Sequence, residues 1–193
     1  MHDNYNGPYI KKFAIPFANY KIPDWGKKKK QLLDVYNEHS KERLESYQKS
    51  HKFYADNITD YSTDENCARY CHLLDPILRE DLTKIFESFG YNGYNFKIGA
   101  SWFQYYEKGH SHAVHNHGFG GYSCALYIEY DPAYHQPVTF VSPYLSNIDG
   151  NVVDYVPQDV NEGHLIVFPT SLSHYAPSNT TDVRRTILSM NIF

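Results

Sequence analysis

Residues 112–131 read HAVHNHGFGGYSCALYIEYD, and the change of texture at Gly121 decides the fold. After the glycines, GYSCALYIEYD is a short run of aromatic and apolar residues that closes on Asp131, as a strand does before a turn. Runs of the same kind lie on both sides of it: NFKIGASWFQYYEKG, PVTFVSP, NVVDYVP, GHLIVFP and RRTILSMNIF. Gly, Pro, Asn and Asp punctuate them, which predicts antiparallel strands joined by turns over about 94–193. Upstream, about 26–90, the period is helical. Ile77, Leu78, Leu82, Ile85, Phe86 and Phe89 recur at three and four residues and end at Gly90. Between the helical stretches, NITDYSTDEN (57–66) reads as a loop. The expected architecture is mainly β with N-terminal helices, a double-sheet jelly roll braced on its helical side. Residues 1–193 are expected to form a single domain, with about 1–93 as helical support and about 94–193 as the core.

Composition narrows the function classes. Aromatic residues make up 17% of the chain, with 19 Tyr, a level suited to strands and polar-edged cavities. A net charge of -4 provides no general attraction to nucleic acid or anionic membranes. There is no run of 18 apolar residues, and MHDNYNGPYIKKF lacks the apolar segment of a signal peptide, so a cytoplasmic location is expected. Cys67, Cys71 and Cys124 do not describe a disulfide framework and read as buried free thiols, with Cys67 and Cys71 on one helical face. Lys27 to Lys30 reads as the solvated start of a helix.

Four histidines fall within eight residues, at 110, 112, 115 and 117. Unpaired imidazoles are costly to bury, so a purpose is needed. On an extended segment His115 and His117 point the same way, since the side-chain period is two, while His110 and His112 take the opposite phase. Two same-face imidazoles grip a metal ion weakly, and the best candidate for a third ligand is the distant His174. Arg184 and Arg185 open the final strand shortly after it, on opposite faces.

This layout resembles the Fe(II)/2-oxoglutarate-dependent dioxygenases, whose double-stranded β-helix core holds iron with a His-x-Asp/Glu pair and a distant His. SWFQYYEKG, GYSCALYIEYD and GHLIVFPTSLSH are similar to strands of the family's small microbial and phage members, and the resemblance covers about 95–193. It implies that His115, His117 and His174 hold Fe(II). The phase Arg185, Ile187, Ser189, Asn191 resembles the family's inward face, with Arg185 clasping the far carboxylate of 2-oxoglutarate, Ser189 beside it, and Tyr127 hydrogen-bonding the same carboxylate. The implied reaction consumes molecular oxygen and 2-oxoglutarate, releases succinate and carbon dioxide, and hydroxylates a small-molecule or peptide substrate. The chain departs from the commonest pattern at His117, where the family has an acid; Asp131, Asp159 or Glu162 is the alternative donor. Two rival readings are a cupin-like metal dioxygenase without 2-oxoglutarate and a non-catalytic jelly-roll binding or phage structural protein. Trp102 is expected in the core and His135 and His164 in structural roles, while loops around 131–137 and 144–160 are expected to shape access.

Overall fold

The computed structural model describes residues 15–42, 44–45, 58–61, 70–146 and 148–193. The N-terminal stretch 1–14 and Cys67 lie outside the described residues. Along the chain the described elements are β1 (Ala18–Lys21), α1 (Trp25–His39), β2 (Ile58–Thr59), α2 (Cys71–Ser88), β3 (Ile98–Tyr106), β4 (His112–His115), β5 (Tyr122–Glu129), β6 (Thr139–Val141), β7 (Asp154–Tyr155), β8 (His164–Pro169), β9 (His174–Ala176) and β10 (Arg185–Ile192).

The strands form two antiparallel sheets. The larger has the order β1-β8-β5-β10-β3-β2 and the smaller β4-β9-β6-β7. Face to face they make a jelly roll, with helices covering the outer face of the larger sheet. That layering explains the texture of β5 and β10, which are buried on both faces and therefore read as nearly continuous apolar runs. In β10, Leu188, Met190 and Ile192 pack toward Leu74, Leu78, Leu82 and Phe86 of α2. Ile187, one step out of phase, joins Phe140, Ile166 and Phe168 between the two sheets. Two apolar cores thus lie on either side of one sheet.

Local chemistry sets the helix ends. Gly90, at φ +89, terminates α2 in a left-handed conformation that costs glycine nothing. The helix begins at Cys71, a full turn before the Asp75-Pro76 pair, so Pro76 sits inside its second turn. The basic run at the start of α1 is only partly solvated. Lys28 pairs with the fully buried Asp81 at 2.5 Å and Lys29 with Glu162 at 2.8 Å, tying α1 to α2 and to the loop before β8. Within the expected loop 57–66, Ile58 and Thr59 instead form β2. Two β-branched residues extend the edge of β3, and Ile58 is buried there. The opposite deviation occurs at NVVDYVP, where only Asp154 and Tyr155 pair and the valines stay exposed. Among the described residues no helix is long and apolar enough to cross a membrane.

Candidate metal centre

The smaller sheet brings three histidines together. β4 and β9 pair antiparallel, with His115 directly opposite His174. His117 follows β4, its backbone N–H donating to the Thr170 carbonyl at 2.9 Å, so the chain stays close to the loop that leads into β9. One ring nitrogen from each of His115, His117 and His174 lies within 4.8 Å of the others. Nε2 of His117 and Nε2 of His174 are 3.3 Å apart.

Two of the rings have their tautomers set by backbone. Nδ1 of His115 lies 2.7 Å from the Ala113 carbonyl and Nδ1 of His174 lies 2.8 Å from the Leu172 carbonyl. A carbonyl only accepts, so Nδ1 carries the proton and Nε2 offers a lone pair. Burial, reinforced by the neighbouring histidines, depresses the His117 pKa to about 4. Burial likewise lowers that of His174 to about 3, against the opposing pull of the Leu172 carbonyl. Both rings are neutral at physiological pH and need shed no proton to ligate. Three converging imidazoles suit Fe(II) and other borderline divalent ions.

The alternative acids are not brought to the histidines. Glu162 accepts from the Trp25 indole and pairs with Lys29. Asp131 accepts the Ala133 N–H within its own turn, and Asp159 is exposed at φ 57. Among the described residues His115, His117 and His174 are the group whose donors converge.

The cavity below the histidines is walled by Trp102, Gln104 and Tyr106 of β3 and by Arg185, Ile187 and Ser189 of β10. Arg185 is 1% exposed, and among the described residues no carboxylate pairs with it. Its Nη1 and Nη2 donate to the carbonyls of Gln136 and Pro177, its guanidinium carbon sits 4.2 Å from the Tyr106 ring centroid, and its Nε–H is buried without an acceptor. A buried cation with an idle donor in a cavity wall fits an anionic ligand. Arg184 faces the other way and forms a two-point pair with Glu129. Ser189 accepts from Gln104 Nε2 at 3.0 Å. Tyr127 is not brought to the wall: it is fully buried behind it, its hydroxyl accepting the N–H of Val138, a residue that does line the cavity.

His112 differs from expectation. The β4–β9 register shifts between His112 and His115, and this irregularity turns His112 onto the same face, its ring 3.9 Å from that of His115. His110 stays in a turn, its Nδ1 accepting the Glu107 N–H. Trp102 is buried as expected, but it stacks on His117 at 5.4 Å and 19° rather than serving the core alone. The even positions of SWFQYY carry Trp102, Gln104 and Tyr106; that alternation was the available signal for the β3 wall. His135 is structural, its Nδ1 accepting the Asp131 N–H and its Nε2 meeting the Val183 carbonyl, and His164 meets Asn19 at the surface.

Residues 100–191, which contain the three histidines and Arg185, match the family described as putative 2OG-Fe(II) oxygenase. No curated protein matches the chain. Among solved structures, the non-heme alpha-ketoglutarate-dependent epimerase SnoN from nogalamycin biosynthesis superposes with a TM-score of 0.60 at 13% identity, over 93% of this chain and 78% of that one. The viral collagen prolyl hydroxylase of Paramecium bursaria Chlorella virus-1 gives 0.55 at 10% identity, over 91% and 94%. A prolyl-4-hydroxylase from Pseudomonas putida gives 0.50 at 14%, over 92% of both chains. The jelly-roll core, the histidine triad and the match over 100–191 are what this chain shares with the putative 2OG-Fe(II) oxygenases.

Proposed function

We propose that the protein oxidises a C–H bond of a small-molecule or peptide substrate, consuming molecular oxygen and 2-oxoglutarate and releasing succinate and carbon dioxide. His115, His117 and His174 hold the Fe(II), and Arg185 takes the far carboxylate of 2-oxoglutarate with Ser189 beside it. Tyr127 acts from behind the wall, holding Val138 in place. The helices act as the support of this core within one domain.

The observation that carries this reading is Arg185. An unpaired buried cation costs several kcal/mol in a folded chain, and a carboxylate ligand is what compensates it. A jelly roll that used only a metal, or that used neither, would have no need for it. Iron with 2-oxoglutarate and oxygen bound supplies the oxidising power that side chains lack. The chain itself binds, aims and shields. A triad without a carboxylate leaves the charge of a divalent ion uncancelled by protein, so a dianionic cosubstrate is the matching partner. Tyr106 holds the plane of the Arg185 guanidinium, which keeps its N–H fork directed for two-point binding. Trp102 stacked on His117 and Phe168 set edge-on to His174 at 4.7 Å fix two ring planes and exclude water from them. Gln104 donates to Ser189 and, with Arg185, forms the polar part of a wall that also carries Trp102 and Ile187.

The test is spectroscopic. Anaerobic protein loaded with Fe(II) should develop a visible charge-transfer band on adding 2-oxoglutarate, and should release succinate on admission of air. His174→Ala should do neither. A wild-type protein that fails to bind 2-oxoglutarate at millimolar concentration would sink the reading.

A further inference from the structure

His115 and His174 owe their places to the β4–β9 ladder, in which they are direct partners. His117 lies two residues past the end of β4, where that ladder no longer places it. Glycines follow it at 118, 120 and 121, bringing no side chains to anchor the segment and leaving its backbone the widest conformational freedom. A ligand in such a segment has to be held from elsewhere, and the turn between β8 and β9 does so. Thr170, 1% exposed, accepts the His117 N–H on its carbonyl at 2.9 Å and donates its own N–H to the Gly121 carbonyl at 3.2 Å. Its hydroxyl donates to the Gly120 carbonyl at 2.9 Å. Two residues further on, the Leu172 carbonyl meets Nδ1 of His174 at 2.8 Å, and the Ser173 carbonyl accepts the Val141 N–H at 2.9 Å. One turn, itself tied to β6, therefore holds two ligands that stand 57 residues apart in the chain.

We propose that Thr170 is a positioning residue whose hydroxyl clamps the 117–121 segment and so sets His117 against His174, with their Nε2 atoms 3.3 Å apart. The proposal rests on the reading of His117 as a metal ligand. Of the bonds from Thr170 to the segment, those to His117 and Gly121 are made by backbone, and any residue at 170 could make them. The bond to Gly120 is made by the side chain, and it is the one a substitution removes. A segment held at its two ends can still flex through the glycines between them. A bond inside the segment takes that freedom away, and the buried Thr170 loses little by making it, since its hydroxyl would otherwise go unpaired. The demand is strict, because a ligating group has to be held within about 0.5 Å of its productive place. Partners behind the ligands meet that demand in metal sites generally.

The experiment uses Co(II), whose paramagnetism moves the ring N–H proton of each ligated histidine into a clear region of the proton spectrum. Wild-type protein should show three such signals, all lost in D2O, with that of His117 assigned by its absence in His117→Ala. Thr170→Val, which replaces the hydroxyl with a methyl of similar size, should lose or broaden the His117 signal alone and weaken Co(II) binding about 10-fold by calorimetry. Thr170→Ser, which keeps the donor, should retain the signal and most of the affinity. A merely structural threonine would lower Tm in the valine variant and leave all three signals in place, and that result overturns the proposal. So does loss of the His117 signal in a folded Thr170→Ser, or an equal disturbance of the His115 and His174 signals in Thr170→Val. Should the valine variant not fold, amide exchange in metal-free wild type decides. The His117 N–H should exchange as slowly as the amides of β9, and exchange as fast as that of Phe119 would overturn the clamp. Wild-type protein with two signals overturns the ligand reading of His117 itself, and a His117 amide that still exchanges slowly tells that failure apart from failure of the clamp.

Discussion

Arg184 and Arg185 are adjacent in sequence and opposite in circumstance. Arg184 lies at the surface, paired with Glu129 and above the Tyr105 ring, and an exposed ion pair of this kind contributes roughly 0.2–1 kcal/mol. Arg185 is in the cavity wall with its charge unmatched. Removing the cation that compensates a buried carboxylate costs about 3–5 kcal/mol. Arg185→Ala should therefore weaken 2-oxoglutarate binding by about two to three orders of magnitude while iron still binds. Arg185→Lys should lose less, and Arg184→Ala should change little. Titration of the charge-transfer band measures all three, and tight binding by Arg185→Ala would discard the assignment. At this scale period two was sufficient wherever the strand is regular, because alternate residues of β10 must face opposite sides. It failed at His112, where an irregular pairing restores a residue of the wrong phase to the site, and no local residue type announces that shift. It also could not show that Tyr127, on the correct face, stops one layer short, since depth behind a wall depends on what neighbouring strands place in front.

At the scale of elements, β5 and β10 were legible because they are long, buried on both faces and closed by turn residues. β2, β4 and β9 were not, being two to four residues long; their pairing is imposed by the neighbours they meet rather than by their own composition. The turn that leads from the smaller sheet into β5 depends on backbone geometry of another kind. Gly121 has φ +84, and a Cβ there would lie 2.3 Å from the Ile192 carbonyl oxygen at the end of β10. Gly121→Ala meets both a left-handed backbone and a carbonyl that a central strand holds in place, at a cost of about 1–3 kcal/mol for the strain alone. Urea denaturation should show that loss or more, together with weakened metal binding, because Thr170 donates to the Gly121 carbonyl and its own carbonyl holds the His117 N–H. Gly118→Ala, at φ +89 but with open space around its Cβ position, should show the strain without the displacement. Equal effects from the two would mean that the close approach to Ile192 is unimportant.

At the scale of the molecule, the two apolar cores are built from hydrophobic side chains, and of the triad His174 packs against one of them, at Phe140 and Phe168. The fold should thus persist when the ion is removed, unlike domains that exist only with their metal. An ion present at 100 times its dissociation constant stabilises the native state by about 2.7 kcal/mol, which for a chain of this size raises Tm by roughly 5–11 °C. Chelation should reverse that rise and leave a cooperative melt, and His174→Ala should show no rise at all. A chain that unfolds on chelation at room temperature would contradict this division of labour. The division also bears on kinetics. His115 and His174 face each other across a ladder whose outer strand, β4, is the edge of the smaller sheet among the described residues. Short edge strands breathe, opening locally far more often than the whole protein unfolds. Each opening of β4 would carry His115 away from His174, so an ion held by the proposed triad should have a residence time gated by the fraying of one strand rather than by the strength of the three bonds alone. The ion in turn damps that breathing, which makes the edge of the smaller sheet, and not the buried strands beneath the helices, the part of the protein whose motion records whether the site is filled.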